Sequence, residues 1–175
     1  MKKLFAVYLG GRAPGCNTEL HDVVFVVSSS IEEAYPILVK KWFGSTTKLH
    51  VDAWAELKFI DSHEVELAPG KGATNDGDKK LYFINLGAYR KNHFQEIHES
   101  AFFVGSSGKE VKQRAKEHLC RGLNVVHTDD LFEVDDCILV DEIDGYHVRL
   151  IESKTSQELE ITNGYFPIPR EILEG

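Results

Sequence analysis

The chain is poor in the residues that would commit it to several large classes. Its three cysteines, Cys16, Cys120 and Cys137, are odd in number and form no CxxC pair. They offer neither a disulfide framework nor the spacing of a structural zinc site, and they suit a reducing compartment. No apolar run approaches the roughly 20 residues needed to span a bilayer. The short run Leu4 to Leu9 is cut by Gly10-Gly11-Arg12 before a cleavage signal could form. Positive charge is scarce: 20 Lys and Arg stand against 28 Asp and Glu, a net charge of −8. Without a basic cluster there is nothing to displace counterions from nucleic acid or an anionic membrane. Catalytic fingerprints are missing too. There is no HExxH, and Gly10-Gly11-Arg12 lacks the full glycine pattern of a phosphate loop, so a tight turn is its simpler reading. The expectation is a cytoplasmic protein with no nucleic-acid partner, no membrane partner and no cofactor.

What the sequence does contain is one unit written twice. Glu19-Leu20-His21-Asp22-Val23-Val24-Phe25-Val26-Val27 returns as Glu96-Ile97-His98-Glu99-Ser100-Ala101-Phe102-Phe103-Val104, offset by 77 positions (98 − 21). Lys2-Lys3-Leu4 returns at Lys79-Lys80-Leu81, Leu9-Gly10 at Leu86-Gly87, and Ser30/Glu33 at Ser107/Glu110. His50-Val51-Asp52 is matched to His127-Thr128-Asp129 and Glu56 to Glu133, still at 77. Near the end Asp61, Val65 and Leu67 match Asp144, Val148 and Leu150 at 83 (150 − 67). A six-residue insertion is expected around Cys137 to Glu142. The division is a first repeat over 1–67, a Gly/Pro/Asn/Asp-rich linker over 68–78, a second repeat over 79–150, and an extension over 151–175.

Within each unit the patterns alternate between strand and helix. Leu4 to Leu9 reads as a strand covered on both faces. The strand after it is polar at its start and apolar on both faces beyond Asp22. Ser30 with Glu33 has capping-box spacing, and Ile31, Ala34, Leu38 and Trp42 follow at helical intervals, with Gly44 as a stop. Pro36 predicts a kink or a late helix start. Leu49 to Ile60 and Glu64 to Leu67 read as strands. In the extension, Glu158 to Asn163 alternates like a strand, and the prolines after it hold the chain extended. Each unit is thus ββαββ: an α+β fold with antiparallel-rich sheets, one main helix per unit and pseudo-twofold symmetry between units. A self-complementary pair of this kind also suits a homo-oligomer or dimer.

The strings L-G-G-R-A (Leu9 to Ala13) and E-L-H-D-V-V-F-V-V (Glu19 to Val27), with Trp42-Phe43-Gly44 and Leu49-His50-Val51-Asp52, resemble a bacterial family known as domain of unknown function fifteen-forty-three. The resemblance implies unit boundaries and a bacterial cytosolic setting. It implies no activity, since none is attached to the family. The second copy departs from the pattern at Tyr89, Glu99 and Leu119, which replace Arg12, Asp22 and Trp42.

The polar residues retained in both halves are the functional candidates. Glu19 and His21 share a strand face, as do His50 and Asp52; Glu96, His98, His127 and Asp129 are their counterparts, and Asp22 lies beside them. Three readings follow. Imidazole and carboxylate can simply satisfy one another near the core. They are also suitable ligands for a divalent metal, with Cys16 and His93 at matching positions as further donors beside His21, His50, Asp52, His98, His127 and Asp129. Or a His–carboxylate pair can do acid–base work, though no nucleophile accompanies it. The leading expectation is a small-molecule or protein-binding module whose cluster is structural or lines a pocket. The alternative is a metal-dependent or His–carboxylate enzyme, hydrolase-like, with duplicated or half-degenerate sites. His63, His118 and His147 have no histidine counterpart and are expected to be solvated.

Overall fold

The computed structural model describes residues 1–70, 77–119, 121, 134–155 and 157–174. In the first unit β1 (Lys3–Arg12) pairs antiparallel with β2 (Leu20–Ser28) on one side and β3 (Ser45–Glu56) on the other, with α1 (Ile31–Lys41) between β2 and β3 in sequence. A small hairpin, β4 (Phe59–Ile60) and β5 (His63–Pro69), ends it. The second unit repeats the order with β6 (Lys80–Ala88), β7 (Ile97–Gly105), α2 (Gly108–His118), β8 (Val134–Leu139), β9 (Glu142–Ile143) and β10 (Tyr146–Glu152). In the extension, β11 (Ile161–Pro167) adds itself to the outer edge of β3, and α3 (Arg170–Leu173) follows. The fold is α+β, its described sheets antiparallel throughout. The stretch expected as one strand from Leu49 to Ile60 starts earlier and splits into β3 and β4.

Burial on both faces explains why the opening strands read as continuous apolar runs. Phe5, Val7 and Leu9 of β1 pack with Val24 and Val26 against Ile31, Ala34 and Leu38 of α1. Leu4 and Ala6 point the other way, with Phe25 and Val27, into a second core. That second core also holds Leu81, Phe83, Val104 and Val148, so the two repeats share it. At its centre Phe25 meets its own counterpart Phe102, ring centroids 6.4 Å apart and nearly perpendicular, and both touch Phe83.

Local chemistry sets the helix ends. The Glu33 amide donates to Ser30 Oγ at 3.3 Å, and the Glu110 amide donates to Ser107 Oγ at 3.2 Å. Both glutamates reach one residue further back than a standard capping box: Glu33 accepts from the Ser29 hydroxyl, and Glu110 from the Ser106 amide. Contrary to expectation, α1 begins at Ile31 and runs on through Pro36. It ends at Lys41, so Gly44 is not its stop. Gly44 is needed for space, because a Cβ there would meet the Arg12 carbonyl at 2.5 Å. Among the described residues no helix is long and apolar enough to cross a membrane.

The pseudo-twofold lies in a central sheet of order β4-β5-β10-β9. There Val148 pairs with Leu67 and Leu150 with Val65, each pair being the symmetry mate of the other, and Glu66 pairs with its counterpart Arg149 between them. Each hairpin turn also clasps the opposite repeat. Asp61 and Ser62 have φ of 47° and 60°, and Asp144 and Gly145 have 52° and 80°, the left-handed pair of a type I′ turn. Asp61 Oδ2 accepts from the Val104 amide, and Asp144 Oδ2 from the Val27 amide, both at 2.8 Å. Arg114 and Lys41 complete these two clasps, at 2.7 and 2.6 Å.

Strand register corrects one alignment made from the sequence. In the first unit Tyr8 pairs with Ala53 and Leu9 with Val51, so Asp52 is bulged; in the second, Asn85 pairs with Asp136 and Leu86 with Val134, so Asp135 is bulged. The offset is therefore already 83 (136 − 53) along β3 and β8. The six extra residues precede Val134, rather than sitting at Cys137 to Glu142. By register the counterpart of Asp52 is Asp135, not Asp129, and in the sequence the same offset carries His50 to Glu133 rather than His127. A recurrent His-x-Asp string imitated a register that the ladder does not keep. His127 and Asp129 themselves lie outside the described residues.

Candidate functional site

Gly10 sits at the middle of a three-strand row, with His21 of β2 opposite it on one side and His50 of β3 on the other. A Cβ on Gly10 would lie 2.5 Å from both His50 Nε2 and Asp52 Oδ2. Glycine inside a strand often marks a close approach by another group. Here it makes the floor on which imidazole and carboxylate meet, so the turn expected at Gly10-Gly11 is instead strand. Gly11 does similar work for the Trp42 ring, which a Cβ would meet at 2.9 Å.

Four side chains converge over Gly10. His21 Nε2 lies 3.3 Å from Asp52 Oδ2 and 3.5 Å from Glu19 Oε1. His50 Nε2 lies 3.2 Å from Asp52 Oδ1 and 3.6 Å from Glu19 Oε1. Backbone irregularity aims them: Asp52 is the bulged residue of β3, and bulges redirect side chains. Lys48, at φ 64°, turns its carbonyl to within 2.8 Å of His50 Nδ1. A carbonyl only accepts, so Nδ1 carries the proton and the neutral ring has its lone pair on Nε2. His50 is buried at 2% exposure, whereas the side chains of His21 and Glu19 are about two-fifths exposed, at 38% and 43%. Asp52 Oδ2 is buried and accepts no hydrogen bond.

Aromatic rings flank the cluster. Tyr8 stacks flat on His21, 5.4 Å between centroids, and Tyr165 of β11 leans on His50 at 4.4 Å. Burial raises the Tyr8 phenol pKa, and the charges of Asp52 and then Asp22 add to the rise.

The remaining candidates lie elsewhere. Asp22 accepts from the amide of its neighbour Val23 at 2.8 Å. Cys16 closes its own loop, its sulfur accepting from the Ala13 amide at 3.3 Å. His93 contacts the Gln95 carbonyl through Nδ1 at 2.7 Å. In the second repeat His98 Nε2 lies 3.8 Å from Glu96 Oε2, and Asn85 stands where Tyr8 does. His147, expected to be solvated, has a buried Nε2 without a hydrogen-bond partner. Reading the sequence missed Tyr8, Tyr165 and the role of Gly10. Only the glycine left a trace, as a strand-breaking residue inside an apolar run.

A family model described as Domain of Unknown Function (DUF1543) matches residues 16–67 and again 93–150. The chain belongs to this family, in two copies. Among solved structures it is similar to a protein described as Il1583 from Idiomarina loihiensis, at 34% identity and a TM-score of 0.73, covering 97% of this chain and 99% of the other. No curated protein matches. Both matched family segments include the Glu-x-His strand start, and the first also holds His50 and Asp52.

Proposed function

We propose that this DUF1543 chain is a small-ligand-binding module whose site is the first-repeat cluster, and that the ligand is cationic. The observation that carries the reading is Asp52 Oδ2, a buried carboxylate oxygen that accepts no hydrogen bond, although His21 Nε2 stands 3.3 Å away. Such an atom costs about 1–3 kcal/mol unless something positive meets it. Glu19 brings a second negative charge to the same spot. Tyr8 and Tyr165 pack against the two imidazoles and hold them beside the carboxylates. The second repeat then serves chiefly as the other half of the shared core.

The test is a titration followed by imidazole NMR, using zinc chloride and putrescine as separate probes. The His21 and His50 ring signals should move with at least one of them, and Asp52→Asn should abolish the shifts while the protein stays folded. If neither probe moves those rings, the cluster is a self-contained polar network and the reading fails.

A further inference from the structure

We infer that the cation is a divalent transition-metal ion, with zinc the first to test, held by His21, His50, Asp52 and Glu19. The inference rests on the cationic-ligand reading above and narrows it. His50 is the residue already oriented as a ligand. With Nδ1–H committed to the Lys48 carbonyl, its bare Nε2 faces Asp52 Oδ1 at 3.2 Å and Glu19 Oε1 at 3.6 Å. In the neutral ring that lone pair faces two carboxylate oxygens, which is repulsive unless a proton or a metal ion lies between them; the spacing of the four groups decides for the metal. A backbone carbonyl on the far nitrogen is also how metal-binding imidazoles are oriented and made more basic.

Spacing separates a metal from an organic cation. Acceptors grouped tetrahedrally around an ammonium nitrogen, each at about 2.9 Å, stand about 4.7 Å apart. Ligands at about 2.1 Å from a tetrahedral ion stand about 3.4 Å apart. The four separations here are 3.2, 3.3, 3.5 and 3.6 Å. They bracket the metal value and fall short of the ammonium value by more than an ångström. Two neutral imidazoles and two carboxylates also leave a doubly charged ion electrically balanced, and the mixed N/O set suits zinc, manganese or iron. Among the described residues no group of three or more His, Cys, Asp or Glu stands placed to hold a metal ion, so these side chains must shift for the shell to close. Asp52 offers a different oxygen to each histidine, so a small carboxylate rotation closes the shell. Glu19, about two-fifths exposed, has room to make the same adjustment. The exposed side of His21 and Glu19 leaves room for a water or an exogenous ligand on the ion.

The experiment uses the full chain, stripped with a chelator and dialysed. Zinc binding is measured by calorimetry, and cobalt(II) serves as a visible probe of four-coordinate geometry. The expected result is one zinc per chain, a raised melting temperature, and intense cobalt bands. His21→Ala and Glu19→Gln, both at the solvent edge, should fold normally. His21→Ala should weaken zinc by more than the about 10–100-fold typical of losing an outer-shell partner. Glu19→Gln should weaken it at least tenfold. His118→Ala on α2 should bind like wild type. Absence of zinc binding, or undiminished binding in His21→Ala, overturns the inference. If zinc fails and putrescine still moves the His21 and His50 signals, the metal is wrong and the binding site stands. If both fail, the site reading goes with it.

Discussion

The two repeats share a backbone plan and differ in what fills it. The first has glycine at position 11 under a buried tryptophan; the second has Ala88 beside Leu119. In each pair a small strand residue lies against a large side chain, glycine with tryptophan in one unit and alanine with leucine in the other. A second exchange runs the same way. Ser28 and Ala34 in one unit become Gly105 and Val111 in the other, where a Cβ on Gly105 would meet Val111 Cγ1 at 2.4 Å. Core volume has been conserved pair by pair. The polar end shows no such compensation: Tyr8 became Asn85, which now bonds Ser100 and Asp136. The lesson is that packing was kept in both copies, while among the described residues the His–carboxylate–aromatic cluster stands in the first.

That contrast can be broken most severely at its shared centre. Phe25→Ala should cost about 3–5 kcal/mol, the usual toll for emptying a buried aromatic site. Phe102→Ala should cost less, because Phe102 is only partly buried. Denaturant melts should show a single transition in both variants, since one core serves both halves. Separate transitions for the two repeats would contradict the shared core.

A smaller effect sharpens the pairing of volumes. Leu119→Trp should destabilise by about 1–3 kcal/mol through overpacking against Ala88. Adding Ala88→Gly should recover a measurable part of that loss, as a double-mutant cycle would show. Strictly additive costs would mean that positions 88 and 119 do not trade space.

The smallest effect separates the polar ends by pH. The folded state holds the Tyr8 phenol protonated to higher pH than the unfolded chain does. The unfolded chain therefore loses its proton first, and stability falls as pH rises beyond about 10. Tyr35 and Tyr82 are raised as well and contribute their own share. Tyr8→Phe should flatten part of the alkaline decline in melting temperature, whereas Asn85→Ala should leave its slope unchanged. Bound zinc should oppose the Tyr8 effect, because a nearby cation favours the phenolate.

Much of this was legible in the residues, because repetition is a global signal and local noise cannot erase it. Both units, both capped helices and the antiparallel plan follow from apolar periodicity and turn chemistry. Two-residue alternation places Glu19 beside His21 on one strand face; the meeting of His50 with Asp52 depends on the bulge, which alternation does not show. What sequence could not carry was register. The Asp52 bulge and the early insertion before Val134 decide which residues face each other, and a recurring His-x-Asp misdirected the alignment. Nor could it show that β11 would bring Tyr165 from the far end of the chain to His50, since nothing local to the tail specifies the edge it joins.

The Glu66–Arg149 pair carries a consequence of its own. In an assembly of two identical chains, whatever stands on the rotation axis must confront itself, and a glutamate there would oppose a glutamate. Covalent fusion lifts that obligation. One member of the pair was free to change sign, so the seam between the halves could acquire an attraction that no true homodimer could encode at that point.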